Sequence, residues 1–213
     1  MTSMACLLAL VLPMKQARAE RAVGFRVSVQ GGFTSNASAN LQKNGNSDIL
    51  ESSDETSPAF GSSFYYGFQQ FDVGVAIEHV GSGSFEGFSQ NRPLGGKVRI
   101  ASVFNWHYVA ERWGSMYIGM SPGVVFIQHN DHLRSQIATA LGRQPTQLDG
   151  IDKYNEGFSF GTTAGLLFNV TDTFGIVVEA QILVNDVQLQ EESDDLQYLS
   201  TQPVLRVGFA AQL

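Results

Sequence analysis

The chain reads as an all-β protein, an eight-stranded antiparallel barrel of the up-and-down kind. Three observations predict this. Apolar residues recur at every second position through eight segments of about ten residues, the signature of half-buried strands, and no comparable helical period is sustained. The connections between segments alternate short and long, as a meander gives when odd and even turns fall at opposite ends. The composition, 22 glycines and 15% charged residues in 213, is poor in charge beside the roughly 25% of an ordinary soluble domain.

The segments follow in order. Over 23–34 one face carries Val23, Phe25, Val27, Val29 and Phe33, and the other carries Arg26, Ser28, Gln30 and Thr34. Over 60–68 Phe60, Phe64, Tyr66 and Phe68 oppose Gly61, Ser63 and Gly67, and after Gln69-Gln70 the pattern resumes with Phe71, Val73, Val75 and Ile77 against Asp72, Gly74, Ala76 and Glu78. The fourth and fifth segments, 97–108 and 116–126, place Val98, Ile100, Phe104, Trp106, Tyr108, Ile118, Met120, Val124 and Phe126 opposite Lys97, Arg99, Asn105, His107, Tyr117, Gly119 and Ser121. Segments 158–169, 174–182 and 205–213 repeat the split, with Glu179 and Arg206 on their polar faces. The short connections are 69–70, 109–112 and 170–173. The long ones are 35–58, 81–96, 128–156 and 185–202, rich in Ser, Asn, Asp, Gly and Gln, with a short helix expected over 132–141.

Alternation does not by itself say which face meets oil. In a soluble eight-stranded barrel the apolar face lines an interior cavity. Here the polar face carries mostly Gly, Ser and Ala, which suits a narrow lumen, while the bulk lies on the apolar face. Aromatics gather towards strand ends: Phe25, Tyr66, Phe68, Phe71, Trp106, Tyr108, Trp113, Phe168, Phe174 and Phe209 at the short-turn end, and Phe33, Phe60, Phe126, Phe158 and Phe160 at the other. Two such girdles flanking an apolar band of about 25 Å are expected of a barrel that faces lipid. The charges of the polar face then become candidates for ion pairs inside the lumen: Arg26, Asp72, Glu78, Lys97, Arg99, Glu179 and Arg206, with Arg206 the first candidate partner for Glu179. Buried ions are tolerated when paired and hydrogen-bonded, so such a lumen is expected to be plugged.

Residues 1–19 resemble a secretory signal peptide: an apolar block from Ala5 to Met14, then Ala17-Arg18-Ala19 as the cleavage site, although Lys15 follows the apolar block where a basic region would precede it. Residues 20–213 form the barrel. Cleavage removes Cys6, the sole cysteine, and leaves 11 basic against 20 acidic residues, a net charge of -9. Thiol chemistry is excluded by that count, and the acidic balance argues against nucleic acid. With a mean hydropathy of -0.04, the chain holds no apolar run of the roughly 20 residues that cross a bilayer as a helix.

On these residues the chain resembles the small eight-stranded outer-membrane β-barrels of Gram-negative bacteria, and is similar to the transmembrane domain of outer membrane protein A and to outer membrane protein X. The resemblance covers 23–213. It is most specific at the penultimate hairpin, in Phe168, Thr171, Asp172 and the inward Glu179, and at the C-terminal strand VLRVGFAAQL, which ends on Leu213 where a terminal Phe is usual. The family implies short periplasmic turns, long extracellular loops and signal-dependent export to the bacterial outer membrane.

Some barrels of that family modify lipid A, which makes the histidines candidate catalytic groups. His79 lies on the lipid-facing parity beside Glu78 and Ser82, and His129 and His132 bracket Asp131 in QHNDH. Neither cluster offers the nucleophile, base and orienting group of a hydrolase, or the His-x-Ser arrangement of the deacylases. Two imidazoles three residues apart in a loop are weak as a metal site, and His107, among polar neighbours, reads as structural. The acidic runs Asp48, Glu51, Asp54, Glu55 and Glu191, Glu192, Asp194, Asp195 read as solvated loop charges. The expectation is therefore a monomeric, non-enzymatic outer-membrane barrel without cofactor or metal. It would sit among outer-membrane lipid and lipopolysaccharide, with little or no pore activity, and anchor surface loops for envelope integrity, adhesion or recognition of an unknown ligand. The alternative is a lipid A acyl hydrolase or transferase using His79 or the His129/His132 pair.

Overall fold

A computed structural model describes residues 23–35, 38–43, 47–51, 56–81, 96–128, 131–144, 154–191 and 194–213. The expected signal peptide over 1–19, with its expected cleavage site, lies outside the described residues. The elements are β1 (Gly24–Ser35), β2 (Ser38–Lys43), β3 (Ser47–Glu51), β4 (Thr56–Gly67), β5 (Phe71–Gly81), β6 (Gly96–Glu111), β7 (Gly114–Gln128), α1 (Asp131–Ala140), β8 (Tyr154–Asn169), β9 (Phe174–Glu191) and β10 (Asp194–Gln212).

Eight of the ten strands, β1 and β4 to β10, pair antiparallel in sequence order, and β10 returns to pair with β1 from Arg26↔Gln212 to Thr34↔Val204, closing the barrel. Closure leaves no strand edge within the apolar band, where an unpaired backbone group would cost several kcal/mol. The connections at one end are tight. The Phe68 amide donates to the Phe71 carbonyl at 2.6 Å around Gln69-Gln70, and the Thr171 hydroxyl accepts the Phe174 amide at 3.0 Å to fix the turn between β8 and β9.

At the opposite end two stretches expected to be loops are built largely of strand. β2 and β3 continue β1 and β4 in the same register, since Gly24↔Gly67 and Asn40↔Glu51 share one pairing offset, and β2 also pairs with β10 from Ser38↔Thr201 to Lys43↔Leu196. Likewise β9 and β10 run paired to Glu191↔Asp194. The physical reason is a change of solvent. Beyond the apolar band water lies outside, so the apolar residues turn inward: Leu41, Val125, Ile127, Val187, Leu189, Leu196 and Tyr198 form a conventional core with Ile137 and Ala138 of α1. In β9 the outward series ends at Val184, and after the buried Asn185 the apolar positions shift to Val187 and Leu189. The alternation persists while its chemistry inverts.

Helix α1 seats in that mouth. Ile137 and Ala138 are fully buried, and Leu141 packs against the same cluster. Its end is set by Gly142 at φ 67, a left-handed position that suits glycine. There the Arg143 amide bonds the Ala138 carbonyl at 2.8 Å and the Gly142 amide that of Thr139 at 3.1 Å, the Schellman closure of a helix C-terminus.

The outer face between the ends is apolar and exposed on every strand, from Phe25, Val29 and Phe33 on β1 to Leu205, Val207 and Phe209 on β10. Along β9 the band runs from Phe174 to Val184. Ten steps of about 3.3 Å at a tilt of about 40° rise about 25 Å, the height of an outer-membrane apolar belt. Above it Glu156 and Gln188 face outward. At the short-turn end the aromatics touch: Phe25 stacks on Phe64 at 5.3 Å, Phe174 on Phe209 at 5.5 Å, and Trp113 leans on Phe168 at 5.9 Å.

Candidate functional site: the closed lumen

Each lumen residue arrives by strand parity, and the registers decide which ones meet. Glu78 on β5 lies opposite Arg99 on β6, and Glu179 on β9 lies opposite Arg206 on β10. Glu78 is the hub. Its Oε2 accepts from Arg99 Nη1 at 2.5 Å and its Oε1 from Arg206 Nη1 at 2.6 Å. Arg206 reaches Glu179 only at 3.7 Å, despite being the directly opposed residue, and its second nitrogen bonds Gln181 instead. Glu179 is held more closely by the Tyr117 hydroxyl, at 2.5 Å. Arg99 also donates to Ser159 Oγ at 2.8 Å, and to the carbonyl and hydroxyl of Ser121.

A second group lies nearer the short-turn end. Arg26 Nη1 approaches Asp72 Oδ2 at 3.3 Å, and the same oxygen lies 2.9 Å from His107 Nε2, whose Nδ1 is 3.0 Å from Ser115 Oγ. His107 is thus bound on both nitrogens and buried, a structural residue. Lys97, at 1% exposure, sits in a third layer, where its ammonium donates to Tyr198 Oη at 2.8 Å, Gln202 Oε1 at 3.0 Å and Ser200 Oγ at 3.2 Å. Among the described residues these three bonds all end on neutral oxygens, while the other six charged lumen residues fall into the two groups around Glu78 and Asp72.

Small residues make room for this packing. A Cβ on Gly165 would overlap the hydroxyl end of the Tyr117 ring, so glycine there is what lets the phenol reach Glu179. A void lined by residues including Arg26, Gln30, Asp72, Asn105 and Glu179 measures about 10 Å³, room for about one water and not for a file of them. Below it Leu167, Val177 and Ala210 close over with Tyr117, and above Lys97 stands the α1 core. The lumen is a stack of apolar and ionic layers that ties all eight walls together.

Of the candidate catalytic histidines, His79 does not reach this stack. His79 faces outward at the upper edge of the belt, paired across the strands with Phe60 and Val98. His129 lies outside the described residues, as does the side chain of His132. The acidic positions of both runs also lie outside the described side chains. Among the described residues no group of three or more His, Cys, Asp or Glu is placed to hold a metal.

No protein-family model matches the chain, and no curated protein matches it. Solved structures do. The barrel is similar to outer membrane protein OprG from Pseudomonas aeruginosa, with a TM-score of 0.54, 10% identity and 91% of this chain covered against 98% of that one. It is similar to Neisserial surface protein A at a TM-score of 0.52, 11% identity and 91% against 100% coverage. Outer membrane protein AlkL, solved in lipid bilayers, gives 0.50, 12% and 94% against 95%. At such identities the likeness is one of fold. Together with the lipid-facing belt it makes this chain a small transmembrane β-barrel of the outer-membrane type, a protein of the bacterial outer membrane.

Proposed function

We propose that the protein is a monomeric, non-conducting and non-enzymatic barrel. Its short turns face the periplasm, and its strand extension and α1 stand on the cell surface for recognition, adhesion or envelope integrity. The observation that carries this reading is the filling of the axis among the described residues: apolar layers at both ends, ion pairs between them, and a void of about 10 Å³ lined by residues including Arg26, Asp72 and Glu179. A water-filled channel needs an open polar path, and a catalytic centre needs a nucleophile and base in reach of each other. Instead, the described residues build a rigid stem beneath a raised, capped rim. Refolded protein in planar bilayers is expected to leave the baseline conductance unchanged, with discrete openings overturning the reading. Mass spectrometry of lipid A from cells with and without the protein is expected to give identical acylation, and an altered acyl pattern would replace the proposal by the enzyme alternative.

A further inference from the structure

The lipid-facing surface is not evenly convex. A trough of about 780 Å³ crosses strands β7 to β1, within the size range of small-molecule sites. Its floor is Ala164 and Ala180, directly paired on β8 and β9, and its walls include Ile118, Ile182, Leu205 and Phe33. The registers make Ile118, Ala164, Ala180, Leu205 and Phe33 one continuous row.

That row climbs. Ile118 lies four residues from Gly114 at the start of β7, whereas Phe33 lies nine from Gly24 at the start of β1, with Ala164, Ala180 and Leu205 at intermediate heights. Four strand spacings of about 4.8 Å give a length of about 19 Å, which at a strand tilt of about 40° rises about 12 Å. This is half of a belt about 25 Å tall, one leaflet's share. The trough ends at the upper margin, where the exposed Thr56 lies opposite Ser35, so hydroxyls stand where an acyl chain's ester or amide would emerge. The trough is continuous with the lipid-covered belt, and its polar end faces the extension.

We propose that this trough is a specific lipid site that seats one acyl chain of a lipopolysaccharide molecule in the outer leaflet. The inference rests on the orientation argued above, which places the extension outside and so turns the upper half of the belt to the lipopolysaccharide leaflet. Bulk on the floor fills the site without touching the lumen.

The test is native mass spectrometry of the full-length mature barrel in mixed micelles of rough lipopolysaccharide and phosphatidylethanolamine. Wild type is expected to retain one lipopolysaccharide. Ala164→Phe, and the milder Ala180→Leu, are expected to lower the bound fraction at least tenfold while keeping the heat-modifiable gel shift of a folded barrel. Val75→Phe, on the lipid face of β5 opposite β9, is expected to retain it. Equal retention by the filled variants, or none by wild type, overturns the site alone. Preferential retention of phosphatidylethanolamine in the trough overturns both the site and the orientation. A wild-type dimer that Ala180→Leu dissolves would show the occupant to be a second copy and overturn the lipid assignment.

Discussion

Glu78 is where the lumen is most exposed to perturbation. It accepts from two guanidinium groups, Arg99 at 2.5 Å and Arg206 at 2.6 Å, and all three side chains are at most 4% exposed. Glu78→Gln keeps the shape and removes the charge, leaving two cations facing a neutral amide. Removing one member of a buried pair costs about 3–5 kcal/mol, because the partner's desolvation is no longer offset. With a urea slope of about 2 kcal/mol/M, the unfolding midpoint of the refolded barrel falls by about 2 M. The assay is urea titration in detergent micelles, read by tryptophan emission and by the heat-modifiable gel shift. Adding Arg206→Met to Glu78→Gln is expected to recover about 1 kcal/mol or more, since it removes one of the stranded cations. A midpoint change below about 0.5 M for Glu78→Gln, or strict additivity in the double variant, would refute the hub.

Two further perturbations probe the layers on either side. Gly165→Ala is expected to displace Tyr117 from Glu179 and cost about 1–3 kcal/mol for the carboxylate bond lost, whereas the same change at the exposed Thr162 stays within about 0.5 kcal/mol, both by urea titration. Ile137→Ala, at a side chain with no exposure, is expected to weaken the seat of α1 by about 3 kcal/mol. Trypsin cleavage at Arg134 or Arg143 then speeds up about 100-fold with the barrel still folded. Unchanged cleavage would mean that the helix is held by something other than this core.

The membrane-spanning part of the fold was legible because one physical condition, lipid outside and a narrow polar lumen inside, writes a strict period of two. Parity alone put Glu179, Arg206, Asp72 and Glu78 on the lumen face. It could not choose partners, because that depends on strand register and side-chain reach: Arg206 lies opposite Glu179 yet bonds Glu78 more closely. Parity also put Tyr117 on the polar face, but not its bond to Glu179, because an aromatic there reads as an interruption until a register gives it room. Its signal was an outward-to-inward mismatch in size facing Gly165 on the next strand.

The raised rim is hidden in the sequence for a different reason. The phase shift between Val184 and Val187 looks like the end of a strand, as does the polar composition of 185–202. It marks instead the level at which water replaces lipid, so that the same pleat now buries Val187, Leu189, Leu196 and Tyr198. A change of phase without a turn signal, three residues after the end of a continuous run, is how such a surface crossing shows in a sequence.

A closed, inside-out barrel is tested most directly by a single-label spin scan of 174–184 on β9, in a background lacking other cysteines, with oxygen and a water-soluble nickel chelate as relaxants. Positions 176, 178, 180 and 182 are expected to be oxygen-accessible and chelate-protected. Positions 177, 179, 181 and 183 are expected to be shielded from both. Chelate access at 179 and 181 would reveal an open aqueous pore, and chelate access at 176 to 182 on the even positions would show that the apolar face does not lie in lipid.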